Sequence, residues 1–194
     1  MADAATLAAR NTRKAEAQQA RAGRILEAAH GILSDTGISG LTMRTVAAQA
    51  GYTAGSVYSY FTSKEALLAA IAVDELEGLA KELRSISGGL EAQSDACAVS
   101  LRRVVPLLAA ARRGDVPEEI ERALTGRIIS ILRLIDGSIG DGGNRTADMQ
   151  SRALDTIALW AALAGFAQLS GGGRFVSLGV EDEDVLAALV ARFG

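Results

Sequence analysis

The chain is poor in the residues that most often carry chemistry. Its 194 residues include one cysteine, Cys97, and one histidine, His30. A single cysteine excludes an internal disulfide framework and fits a reducing compartment, the cytoplasm. One His and one Cys also leave no metal-ligating cluster. Neither a glycine-rich phosphate loop after a strand nor a nucleophile elbow occurs. No catalytic residue, metal site or cofactor is therefore expected, and the protein reads as a non-enzyme. Proline occurs twice and aromatics make up 4%. With Ala, Leu, Ile, Val, Glu and Arg dominant, the expectation is an all-α fold. No apolar run reaches the ~20 residues of a membrane helix; the longest, 157–169, is interrupted by Gly165 and Gln168. No apolar stretch follows the N-terminal charges, so no signal peptide is read.

The chain is long enough for one large or two small domains. Its formal charge of −3 is unevenly spread. Residues 1–64 hold seven Lys or Arg against four Asp or Glu, whereas the rest holds thirteen against nineteen. An acidic protein with a basic N-terminal end binds nucleic acid through that end only.

The basic end contains the most informative stretch, Leu41 to Lys64. Thr42 is a good N-cap, and Met43, Val46, Ala47 and Ala50 share one face of a short helix that Gly51 ends. Thr53 caps a second helix with Val57, Tyr60 and Phe61 inward and Ala54, Gly55, Ser56, Tyr58 and Ser59 outward. A solvated helix would carry Glu, Lys or Gln there. So bare a face suits a helix seated in a DNA major groove, and the pair reads as a helix-turn-helix.

Over Arg24 to Leu68 the pattern Leu-Thr-x-Arg-x-Val-Ala-x-x-Ala-Gly-Tyr-Thr-x-Gly-Ser-Val-Tyr-x-Tyr-Phe-x-Ser-Lys-Glu-Ala-Leu resembles the DNA-binding domain of TetR-family transcriptional regulators. The resemblance implies that Thr42 and Lys64 touch phosphates, and that Tyr58 and Tyr60 brace the recognition helix on the backbone. It also implies that Arg44, Ala54, Gly55 and Ser56 lie against base edges. Arg44 is the one long donor fork, with a guanine N7/O6 pair as its usual target. Ala54 replaces the longer polar residue of many relatives, so readout leans on Arg44, Ser56 and thymine methyl contacts. By itself Lys64 would be a first-turn lysine opposing the helix dipole, which an anion close by would relieve.

Three domains are expected: a flexible basic arm over 1–20 with Arg10, Arg13 and Lys14; the helix-turn-helix domain over 21–66; and a helical effector-binding and dimerisation domain over 67–194. The first helix of the head runs from Arg21 to Thr36, with Ile25, Ala28, Ala29, Ile32 and Leu33 as its stripe and Gly37 as its stop. His30, at the stripe's edge, is expected to pack without chemistry. Thr62 and Glu65 read as a capping box opening a helix to about Ser85. Next comes a helix over about 90–111, kinked or divided at Pro106. A polar loop over Arg112–Asp115 follows, then a helix with Pro117 at its first position. It ends near Asp136, before a glycine-rich loop over 140–144. A long helix over about 146–169, a loose glycine-rich connector over 170–173 and a helix over about 181–193 complete the chain.

The resemblance implies a homodimer through the helices at 146–169 and 181–193. Their small residues Ala158, Ala161, Ala162, Ala164 and Gly165 allow close approach. The segment Trp160 to Leu169 is similar to the regulatory domain of a TetR subgroup, with Ala164 where that subgroup has a histidine. An effector held between the helices of 67–170 would meet Leu79, Leu83, Cys97, Leu101, Val105, Ile128, Leu132, Trp160 and Phe166. So apolar a lining favours a hydrophobic or amphipathic small molecule, with Arg102, Arg103 and Arg127 available to an anionic group. The reading is a homodimeric repressor on a palindromic DNA operator, released by that effector. The alternative is a helical small-molecule-binding or interaction protein that has lost sequence-specific DNA binding.

Overall fold

The computed structural model describes residues 2–111, 116–139 and 149–194. Among them every regular element is α-helical. The polar loop expected over Arg112–Asp115, the loop over 140–144 and the start of the long helix at 146–148 lie outside the described residues.

α1 spans Ala2–Gly40. Residues 2–20 continue the helix that is expected to begin only at Arg21. Alanine has the highest helix propensity, and no proline interrupts this alanine-rich run. At Gly37 the backbone leaves helical geometry with φ 70° and ψ −172°, as only glycine does at little cost. Ile25, Ala28, Ala29 and Ile32 are buried.

α2 (Met43–Ala50) and α3 (Ala54–Tyr58) form the helix pair. Thr42 Oγ1 accepts from the Thr45 amide at 3.1 Å, and Thr45 Oγ1 accepts from the Thr42 amide at 2.9 Å. Gly51, at φ 73°, ends α2, and the Tyr52 amide reaches back to the Ala47 carbonyl at 2.8 Å. Thr53 Oγ1 caps α3 by accepting from the Ser56 amide at 3.2 Å. Met43, Val46, Ala47, Val57 and Phe61 are buried in one core with Ile25, Leu41 and Ile71.

α4 (Lys64–Ser85) is capped one residue later than the sequence suggests. Ser63, not Thr62, is extended and accepts from the Ala66 amide at 3.0 Å. Ser63 adopts the cap geometry three residues before that amide, and Glu65 falls in the first turn, where its charge suits the dipole. α4 packs on α1, α5 and α6, and Leu67, Leu68, Ile71, Leu76, Leu79 and Leu83 are buried along its length.

α5 (Leu90–Ala110) is not divided at Pro106, which lies near its C-terminal end, where few later bonds depend on it. α6 (Glu118–Asp136) starts just after Pro117, which serves as N-cap rather than as the first helical residue. α7 (Met149–Ser170) packs mainly on α5. The connector after it closes through backbone bonds from Gly171, Gly172 and Gly173 to the carbonyls of Ala167, Leu169 and Ser170. It leads into a short α8 (Arg174–Ser177) whose Phe175 stacks on Phe166 at 5.6 Å. α9 (Asp182–Val190) rests on α5 and α7. One apolar core runs from Ile25 to Val190, with α4 joining head and body.

Candidate nucleic-acid interface and effector region

The outward face of the helix pair is assembled by two threonine caps. Arg44 stands exposed on α2 and makes no hydrogen bond or ion pair with the described residues. Its guanidinium is therefore free to approach a partner. Tyr58 is half exposed, at 50%, while Tyr60 is half-buried beside the core. Ala54 and Ser56 are half-buried and Gly55 is exposed. The Ser56 hydroxyl lies 2.9 Å from Thr53 Oγ1, so the α3 cap orients the hydroxyl expected at base edges. Of the residues expected at DNA, Thr42, Arg44, Thr53, Gly55 and Tyr58 are thus exposed, and Ala54 and Ser56 half-buried.

Lys64 behaves differently. Its Nζ donates to the Ile38 carbonyl at 3.0 Å. The partially negative carbonyls at the end of α1 supply the partner that the start of α4 does not. Lys64 thus fastens the turn after Gly37 to the first turn of α4.

Arg21 and Arg24, which sequence reasoning did not count as site residues, line a cleft of about 600 Å³ with Ala50, Gly51, Tyr52, Ser56, Ser59 and Tyr60. Arg24 lies over the Tyr52 ring at 5.7 Å, a cation–π contact that holds its charge at the cleft. The signal was present as two arginines one turn apart on α1.

The charged groups at the junction of head and body are paired. His30 Nε2 lies 3.0 Å from Asp74 Oδ2, and its Nδ1 is 3.5 Å from Glu75 Oε1. Arg103 Nε donates to Glu75 Oε2 at 2.8 Å. His30 therefore links α1 to α4, and Arg103 extends the link to α5, which corrects the reading of His30 as a packing residue alone. Arg102 bonds Ser170 Oγ and Asp182, each at 2.9 Å, and Arg127 pairs with Glu77. The three arginines suggested for an anionic ligand are thus engaged within the fold.

In the effector region Leu79, Leu83, Cys97 and Leu101 are buried together in the main core, and Phe166 lies in a smaller cluster with Ala98 and Phe175. Val105, Ile128, Leu132 and Trp160 are partly buried. Leu132 lines a groove of about 610 Å³ between α6 and α7, with Ile129, Asp136, Thr156 and Ile157. Burial, and to a lesser degree Glu82, pushes the Cys97 thiol up to about 12. Sequence reasoning missed the polar part of this region. Gln93, Ser94 and Ser100 are buried on α5, and Gln93 Oε1, Ser94 Oγ and Ser100 Oγ lack hydrogen-bond partners. The i, i+7 spacing places Gln93 and Ser100 on one face of the helix, with Ser94 about 100° round from Gln93, and each unpaired group is costly to bury.

A family profile described as "Bacterial regulatory proteins, tetR family" matches residues 25–71, the helix pair with its two supporting helices. This segment is a TetR-family DNA-binding head. The family profile covers the DNA-binding head, and solved structures extend the likeness in fold to the body. The regulatory protein SCO4313 superposes with a TM-score of 0.66 at 18% identity, over 92% of this chain and 97% of that one. A transcriptional regulator from Pseudomonas aeruginosa PAO1 gives 0.61 at 22%, over 89% and 88%. A TetR transcriptional regulator from Rhodococcus sp. RHA1 gives 0.60 at 20%, over 88% and 92%. No curated protein sequence matches the chain. The exposed Arg44 and the bare α3 face lie within this TetR-type head.

Proposed function

We propose that this TetR-family regulator is a homodimeric repressor that binds a palindromic operator in the cytoplasm and is released by a small amphipathic effector. The observation that carries the proposal is the uncovered surface of α2 and α3: an unpaired Arg44 beside a recognition helix whose outward residues, Tyr58 apart, are small. Arg44 reads a guanine, while Ala54, Gly55 and Ser56 let α3 approach the base edges. The same surface argues against a binding protein that has lost its DNA target.

The dimer is supported by α7. Leu154 and Ile157 are 60% and 52% exposed, and the helix has a window of mean hydropathy 1.3 of which 28% is buried. A helix that apolar stays uncovered in water only at a cost. A second copy packed through α7 and α9 would cover it, with Ala158, Ala161 and Gly165 permitting close contact. Two heads would then read half-sites about 34 Å apart or somewhat more. The effector would lie against α5. There Gln93, Ser94 and Ser100 would provide hydrogen bonds, and Leu79, Leu83, Cys97 and Leu101 apolar surface. Its polar part must be larger than the sequence alone suggested. Residues 21–66 would form the reading head and 67–194 the sensing body.

The test is binding of the purified protein to the DNA flanking its own gene at two salt concentrations, against a scrambled duplex, followed by selection from genomic fragments. Tight, sequence-preferring binding that weakens with salt is expected. Equal affinity for every selected and scrambled duplex would overturn the reading.

A further inference from the structure

α1 changes character along one side. At about 100° per residue, Ile25, Ala28 and Ile32 lie within about 60° of one another, and all three are buried where α1 meets the rest of the head. Followed toward the N-terminus, the same side carries Arg24, Arg21, Lys14, Arg13 and Arg10, all within about 100°. Glu16 and Glu27 fall about a quarter turn or more from the centre of that stripe. The side is thus apolar where protein covers it and cationic where protein does not.

Residues 6–20 are all exposed, and Arg10, Arg13, Lys14 and Arg21 make no hydrogen bond or ion pair with the described residues. The direction of the stripe is set by Arg21 and Arg24, which share their cleft with Ser56, Ser59 and Tyr60 at α3. The stripe therefore begins at the recognition helix and runs away from it for about 21 Å from Arg24 to Arg10, the length of about six base-pair steps. The chain as a whole is acidic, so an excess of positive charge on one helix face is not a consequence of composition.

We propose that the N-terminal half of α1 is a helical rail that holds the phosphate backbone of DNA flanking the sequence read by α3. The inference rests on the DNA-binding reading above and adds a second contact zone with no base readout. Five cations of one sign on an uncovered face complement a strand of phosphates, and each phosphate neutralised releases a counterion. Helical order keeps all five charges on one side, which a flexible arm would not.

The test uses the full chain, an operator duplex selected by the wild-type protein, and the same duplex trimmed flush with its half-sites. The extended form carries about 10 further base pairs on each side. Wild type should bind the extended duplex about tenfold more tightly or better, with a steeper salt dependence. R10Q/R13Q/K14Q should bind both duplexes alike, its salt slope on the extended one lower by about 3 per engaged protomer. Ala17→Pro keeps every charge but breaks the helix, and should likewise lose the preference for length. A wild-type preference retained by the triple variant overturns the rail, and one retained by Ala17→Pro overturns its helical form. Failure of the underlying reading looks different: wild type itself then prefers no sequence at either length.

Discussion

Arg44 and Lys64 are cations beside the same turn, and the fold uses them differently. Arg44 makes no hydrogen bond or ion pair with the described residues, so Arg44→Ala should leave the melting temperature unchanged while costing about 1–3 kcal/mol of operator affinity and relaxing base preference. Lys64 donates to Ile38 across the start of α4. Its loss should weaken binding to every duplex and also lower stability by about 1 kcal/mol. Anisotropy titrations with operator and scrambled DNA, paired with thermal melts, separate the two. A Lys64→Ala variant that melts like wild type would remove its fastening role. Cys97 gives a second residue-level outcome. With its pKa pushed from 9.0 to about 12, the native thiol stays protonated at pH 8 and should resist alkylation until the protein unfolds. Because the folded value is the higher one, this group's contribution to stability is full below pH 9 and is lost as pH rises toward 12. Rapid labelling of native protein at pH 8 would contradict that burial. Lys64 also shows a limit of pattern reading: its place at the helix start was legible, but its partner, 26 residues earlier, was not.

At the scale of elements, the junction of α1, α4 and α5 is a chain of short polar contacts. His30 meets Asp74 and Glu75, and Glu75 also accepts from Arg103. Breaking either contact of Glu75 disturbs the other, so His30→Ala and Glu75→Gln should not be additive. A double-mutant cycle in urea should give a coupling of about 0.5 kcal/mol or more. Strict additivity would mean that the contacts act separately. Element boundaries were legible wherever a local signal marked them. Gly51 ends α2 and Thr53 starts α3 because each acts through atoms within a few residues. The Thr62 expectation failed by one position because Thr62 and Ser63 offer the same hydroxyl, and backbone geometry chose between them. α8 was missed because four residues carry too little periodicity, and Phe175 declares its role only when stacked on Phe166.

Across the whole molecule, the apolar stretch of α7 and the exposed helix pair lie in a single connected fold. α4 contributes to both head and body, so displacement of α4 by an effector would shift the reading surface. If α7 is the self-association face, Ile157→Glu should convert the dimer to monomer in sedimentation. It should also reduce operator affinity at least as strongly as Arg44→Ala, because a palindrome is then met by one head at a time. A variant that remains dimeric would place the interface elsewhere.

The sequence alone determined the helical class, the recognition pair, its caps and the basic polarity of the N-terminal end. All of these depend on neighbours one or two turns apart. It also determined which residues are apolar, though not which of them would be covered. The tertiary structure decided that Lys64 turns back to Ile38, that His30 joins α1 to α4, and that Arg21 and Arg24 share a cleft with α3. It also decided that Gln93, Ser94 and Ser100 are buried unpaired, and that Ile157 stays in the open. Each of these depends on groups brought together by packing from distant parts of the chain, a distance over which helical periodicity carries no information.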